Sequence, residues 1–199
     1  MEWKLGTTNG QTVAGGNGQG NEAHQLSNPF DVIVNKERES LIIYNYSNAR
    51  IVRWLRRNGI SGETIISNID CWSLTMDENG SLYVVDNEKH GLRRYQRGES
   101  QETVVAGGNG SGNRLDQLSN PYHVFIDRDH SVYVSDYGNH RVMKWMAGEQ
   151  QGIVVADGQG EESNLLNVPV GLSFDRHSNL YVVDYGNHGV QEFNINSNK

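Results

Sequence analysis

The sequence is poor in the residues that staple, span or attract. Cysteine occurs once, at Cys71, which excludes an internal disulfide and a cysteine-built zinc cluster. No apolar run approaches the ~18–20 residues of a membrane span. The opening Met1-Glu2-Trp3-Lys4 lacks the apolar core of a secretory signal. Positive charge is in deficit, with 17 Lys and Arg against 24 Asp and Glu for a net −7. That balance argues against non-specific binding to nucleic acid or anionic lipid. Proline is scarce, at three residues. Membrane spans, disulfide scaffolds and coiled coils are therefore set aside, and a soluble chain of unassigned compartment is expected.

The residues in excess point elsewhere. Against three prolines stand 23 glycines, with 9 Tyr and 4 Trp in 199 residues. This mix suits many tight turns between short strands bearing aromatics, and it speaks against a helical bundle. At 36% hydrophobic and 21% charged the chain is polar for a globular domain, and long enough for one sizeable core or two small ones.

Three phrases recur in fixed order. A glycine-rich loop reads Val13-Ala14-Gly15-Gly16-Asn17-Gly18-Gln19-Gly20-Asn21, returns at 105–113, and survives as a worn copy at 155–160. A proline then opens an apolar run at Pro29, Pro121 and Pro169, with Cys71 in the remaining copy. A second apolar run closes on a polar turn in Tyr83-Val84-Val85-Asp86, Tyr133-Val134-Ser135-Asp136 and Tyr181-Val182-Val183-Asp184. The origins at 29, 71, 121 and 169 lie 42, 50 and 48 residues apart. The short interval lacks the glycine-rich loop, the kind of loop deletion a repeat architecture tolerates. Strands are predicted at 30–34, 41–44, 50–54 and 63–66, with counterparts in the later copies and one more at 11–14. Asn79-Gly80 is the best hairpin signal, since both residues accept positive φ. Four antiparallel strands per ~45 residues make one blade of a β-propeller.

The run Tyr133-Val134-Ser135-Asp136-Tyr137-Gly138-Asn139-His140-Arg141-Val142 resembles the signature of NHL repeats, as do the entries Asn28-Pro29-Phe30-Asp31-Val32 and Asn120-Pro121-Tyr122-His123-Val124. The resemblance covers almost the whole chain. It departs from the pattern at Asn45 and Ala49, and at Gly91 and Gly189 where the arginine would stand. It implies an all-β NHL propeller domain of about four four-stranded blades, over 28–66, 70–106, 120–156 and 168–194. Residues 1–14 would end a preceding blade, because Trp3 aligns with Trp145 and Tyr95. Six blades, the usual NHL number, need roughly 250–300 residues. The expectation is a partial, open six-bladed ring, completed by missing blades or a second chain. A four-bladed ring closed by 11–14 is the alternative.

No assembled chemistry emerges. The glycine-rich loop lacks the spacing and the following helix of a phosphate cradle and reads as a connector. His90, His140 and His188 recur once per blade, so they lie around a ring rather than converge on a metal; backbone or carboxylate hydrogen bonds are expected of them. Two residues after each origin stand Asp31, Ser73, His123 and Gly171, varied side chains on a constant frame and candidates for a channel-mouth site. Propeller lyases related to the family use channel metals, but no motif here maps onto theirs. Some NHL propellers bind single-stranded RNA; residues 50–97 carry +2 against −9 elsewhere, yet Arg53, Arg94 and Lys144 belong on blade flanks. The expectation is a non-enzymatic module without cofactor or metal, binding a protein or peptide partner. The blade-top loops would supply Ser47, Asn87, Tyr137, Asn139, Tyr185 and Asn187, with Asp31, Ser73 and His123 at the channel. A metal-dependent lyase or hydrolase and an RNA binder are the rivals.

Overall fold

The computed structural model describes residues 10–57, 59–97, 101–158 and 165–195; the expected Trp3 strand lies outside them. The chain divides into two compact units, residues 1–67 and 68–199. The first holds one antiparallel sheet, β1 (Pro29–Asn35), β2 (Ser40–Asn45), β3 (Arg50–Leu55) and β4 (Gly62–Ser67), in that spatial order. The second holds three. One comprises β5 (Cys71–Met76), β6 (Leu82–Asp86), β7 (Gly91–Tyr95) and β8 (Glu102–Gly107). The next comprises β9 (Pro121–Ile126), β10 (Val132–Asp136), β11 (Arg141–Trp145) and β12 (Ile153–Asp157). The last has three strands among the described residues, β13 (Pro169–Phe174), β14 (Leu180–Asp184) and β15 (Gly189–Phe193). The fold is all-β and propeller-like. Residues 11–14, predicted as a strand, form none; a strand needs a ladder partner, and none of the described strands pairs with them.

Within the second unit the sheets pack in succession, with the first strands β5, β9 and β13 side by side. Tyr83, Val85 and Leu92 of one sheet share a buried cluster with Val124, Val134, Met143 and Trp145 of the next. Tyr133 and Val142 repeat the arrangement with Leu172, Leu180 and Val182 of the last. Each sheet alternates side chains to both faces, so neither face can be left to water without losing core. In the first unit Ile43, Val52 and Trp54 are covered by Ala14 of the glycine-rich loop and by Leu26.

The hairpin turns rest on an aspartate. Asp77 and Asp127 accept the N–H of Ser81 and Ser131 at 2.8 and 2.9 Å. Gly80 and His130 there take positive φ, 80° and 58°. Asn79 does not, so Asn79-Gly80 is not the mirror-image turn its sequence suggests. The Gly80 N–H reaches back to the Asp77 carbonyl at 3.1 Å, an ordinary turn followed by one left-handed residue. In the fourth copy Asp175 accepts from the N–H groups of Asn179 (2.9 Å) and His177 (2.8 Å). Led by the Asn179 N–H, these bonds hold its carboxyl below the usual range. The sign follows from linkage: a depressed folded pKa stabilises the fold above the unfolded value, ~3.9, and that stabilisation is lost as pH falls through the folded value. An NMR titration should place the Asp175 midpoint below that of a model peptide, and Asp175→Asn should flatten the stability–pH slope in that window. A midpoint at the ordinary value defeats this account.

Candidate binding face

The recurring Asp…Asn-His-Arg phrase turns inward. Asp136, fully buried, accepts the Ser119 N–H (2.6 Å), Asn139 Nδ2 (2.8 Å) and Arg141 Nε (2.7 Å). Arg141 then reaches the carbonyls of Asn113, Arg114 and Gln117 at 2.9–3.2 Å. Asn139 holds the Gly112 carbonyl at 2.8 Å. Together they clamp the glycine-rich connector against its own sheet. Arg50 and Asn48 repeat the clamp on the carbonyls of Asn21, Glu22, Gln25 and Gly20. Burial pushes the Asp136 carboxyl up, while hydrogen bonds from Asn139, the Ser119 N–H and Arg141 pull it back. A perturbed buried carboxylate can mark catalysis, but here its partners build the connector.

Where glycine replaces the arginine, a side chain two residues on takes over. Arg93 Nε meets Asp86 at 2.6 Å, and Gln191 Nε2 donates to Asp184. Sequence reading counted Arg93 in the basic cluster and assigned neither residue this bond. The signal was available, because residues i and i+2 of a strand share a face. Arg93 also pairs with Glu102 and is 9% exposed, so charge reversal there tests folding and not RNA binding. Arg53 is paired with Glu63 and Arg57 with Glu39; much of the basic cluster of 50–97 is engaged within the chain.

The histidines bridge sheets. His90 Nδ1 accepts the Asn120 N–H at 3.2 Å, and His140 Nδ1 accepts the Val168 N–H at 3.1 Å. Both histidines and both donors sit at positive φ, 48–60°. For Val168 that is a strained conformation for a β-branched residue.

Of the expected site residues, Asn139 and Asn187 are committed to this scaffolding, Asn187 through the Leu165 carbonyl and Asp184. Asn87 joins Asp70 at 3.2 Å. Ser47 accepts from Asn28 Nδ2 at 2.8 Å in the first unit. Asp31, also there, is half-buried and accepts the neighbouring Val32 N–H. Ser73 is only 3% exposed, and the Cys71 thiol donates to its carbonyl. His123 is half-buried, its N–H held by Ser135 Oγ at 2.8 Å.

The two tyrosines behave differently. Tyr137 stacks on Tyr122 (centroids 6.2 Å, planes 24° apart), and Tyr122 lies against Trp72 at 5.1 Å. Burial, then the hydroxyls of Tyr137 and Tyr185, push the Tyr122 phenol up. Tyr185 is 66% exposed. Trp72, Tyr122 and Tyr137 thus form a run of three half-buried rings in the second unit, with the exposed Tyr185 near enough to act on the Tyr122 phenol. A separate cavity of about 580 Å³, between the second and third sheets, is lined by Arg94, His130, Trp145 and Glu149. Among the described residues no group of three His, Cys, Asp or Glu side chains gathers in metal-holding geometry, and no helix is long and apolar enough to cross a membrane.

No protein-family model and no curated protein matches this chain. Solved structures do. An auxiliary nutrient-binding protein from Bacteroides thetaiotaomicron superimposes with a TM-score of 0.70 at 12% identity, over 86% of this chain and 49% of that one. A gluconolactonase from Xanthomonas campestris gives 0.67 at 14%, over 82% and 57%. A chain of the nidogen/laminin complex gives 0.67 at 20%, over 84% and 60%. The likeness is one of fold. It runs to propeller-like proteins at large rather than to NHL repeats in particular, and this chain spans about half to three-fifths of each.

Proposed function

We propose that this chain is a propeller-like binding module of NHL type whose aromatic run of Trp72, Tyr122 and Tyr137, with the nearby Tyr185, receives a protein or peptide partner. The observation that carries the reading is the division of labour at the blade tops. The asparagines and arginines of these turns hold connectors, while Trp72, Tyr122 and Tyr137 lie ring against ring and Tyr185 is exposed. Trp and Tyr give large rigid contact area at low entropic cost and dominate binding hot spots.

A random peptide library panned on the intact chain tests it. Selected peptides should perturb Trp72 fluorescence, and Tyr122→Ser and Tyr185→Ser should weaken them more than about tenfold with little change in melting temperature. Peptides that bind both variants as well as the parent, or a library that yields none, reject the reading. Salt-dependent binding of a uridine homopolymer would favour the RNA rival instead. Stoichiometric zinc or calcium lost in His123→Ala would favour the lyase or hydrolase rival.

A further inference from the structure

The clamp on the glycine-rich connector is built twice, and the two copies differ at its centre. The bonds around it repeat. Gln117 Nε2 and Gln25 Nε2 donate to the carbonyls of Asn109 and Asn17 at 2.9 and 3.1 Å. The N–H groups of Gly152 and Gly62 reach the Leu115 and Ala23 carbonyls at 2.8 and 2.7 Å. Asp136 and Asn45 stand opposite Arg141 and Arg50 across their hairpins. Each accepts a serine N–H on one oxygen, Ser119 at 2.6 Å and Ser27 at 2.7 Å.

The other end of the side chain differs. Asp136 offers a second oxygen there, which accepts from Asn139 Nδ2 at 2.8 Å and Arg141 Nε at 2.7 Å. Asn45 offers an NH2 group, and both its Nδ2 and Arg50 Nε are buried without a hydrogen-bond partner among the described residues. Turning the amide over does not help, because it sets Nδ2 against the Ser27 N–H. A carboxylate accepts at both ends and an amide at only one. Arg50 therefore holds the carbonyls of Asn21, Glu22 and Gln25 with no counter-charge from Asn45. Two charge-assisted bonds are missing, and two buried donors carry their desolvation cost unrelieved.

We infer that the first connector, residues 17–26, is a strap that lifts from its sheet well below the free energy of global unfolding, while its counterpart at 109–118 stays shut. Lifting admits water to Arg50 and Asn45 and so removes the penalty that closure imposes. It also carries away Leu26, part of the cover over Ile43, Val52 and Trp54. The strap and its clamp lie within the first unit and share no residue with the aromatic run.

Amide hydrogen exchange on the intact chain, with Asn45→Asp and Asp136→Asn, tests this. The Gln25 and Ser27 N–H groups, bonded to the Glu22 carbonyl and to Asn45 Oδ1, report the first strap; those of Gln117 and Ser119 report the second. In the parent, Gln25 and Ser27 should exchange at a rate indifferent to low urea, the mark of local opening, and Gln117 and Ser119 should not. Asn45→Asp should raise protection at Gln25 and Ser27 more than about tenfold and make it respond to urea as Gln117 and Ser119 do. Asp136→Asn should loosen the second strap in turn. Exchange at Gln25 and Ser27 that rises with urea in the parent overturns the inference. So does an Asn45→Asp variant with these amides no better protected, or an Asp136→Asn variant with Gln117 and Ser119 protected as in the parent. Should Asp136→Asn unfold, Asn45→Asp, which adds bonds to the fold, decides the matter by itself.

Discussion

Asp136→Ala lowers the unfolding free energy by about 3–5 kcal/mol, a large share of the ~5–15 kcal/mol that a domain has. The carboxylate is fully buried, and its removal takes their acceptor from the Ser119 N–H and Arg141 Nε and one of two from Asn139 Nδ2; it leaves the guanidinium, 7% exposed, a buried cation without its counter-charge, held by carbonyls alone. Orphaning a buried charge costs more than the pair contributes, because burial penalises the survivor. Arg141→Ala in the same background should cost less than it does alone, with a coupling of about 0.5–3 kcal/mol in a double-mutant cycle. Asp136→Asn should fall between parent and Asp136→Ala. Asn45 occupies the equivalent position in the first sheet, where Oδ1 accepts the Ser27 N–H at 2.7 Å while Nδ2 is buried with no hydrogen-bond partner among the described residues. Urea denaturation of the parent and the four variants measures these differences. An Asp136→Ala variant within 1 kcal/mol of the parent would mean that the clamp is ornamental and that the connector holds itself.

How much of this the sequence disclosed depends on whether the information was periodic. The strand positions follow from alternation and from the repeat itself, because a face that must be covered in one copy must be covered in the next. The later copies therefore announced their strands within a residue or so. The segment 11–14 has the same composition and no strand, since composition cannot supply a ladder partner. Asn79-Gly80 misled for a related reason: the Asp77 side chain captures the Ser81 N–H, and that bond, rather than the dipeptide's tolerance of positive φ, selects the turn. The candidate site was half legible. That the turns recur in register was visible, and Tyr137 and Tyr185 were among the residues singled out. The rings that line up with Tyr137, Tyr122 and then Trp72, directly follow the copy origins, far from the turns in sequence, and only folding brings them together. The asparagines of the same turns looked equally available for binding, because a sequence shows a polar side chain without showing the carbonyl it faces.

Trp145→Ala should cost about 3–5 kcal/mol, the range for emptying a large buried aromatic site. The indole is 1% exposed and sits in the cluster that joins the second and third sheets. Gly152 presses against it so closely that an added Cβ would lie 2.8 Å from the ring, which leaves the strand little room to collapse into the cavity. Trp145→Phe should lose much less, because Trp145 Nε1 is buried with no hydrogen-bond partner among the described residues, and phenylalanine discards that donor together with part of the ring. Trp54 in the first sheet is the contrast, since its Nε1 donates to the Gly59 carbonyl at 2.9 Å. Hydrogen exchange distinguishes a shared core from two separate ones. If the sheets shield each other, Trp145→Ala reduces amide protection in β6 and β7 as much as in β10 and β11, although only the latter pair belongs to the mutated sheet. Protection lost from β10 and β11 alone would show sheets that fold independently and merely touch, and the account of the repeat as a stack of mutually dependent layers would fail with it.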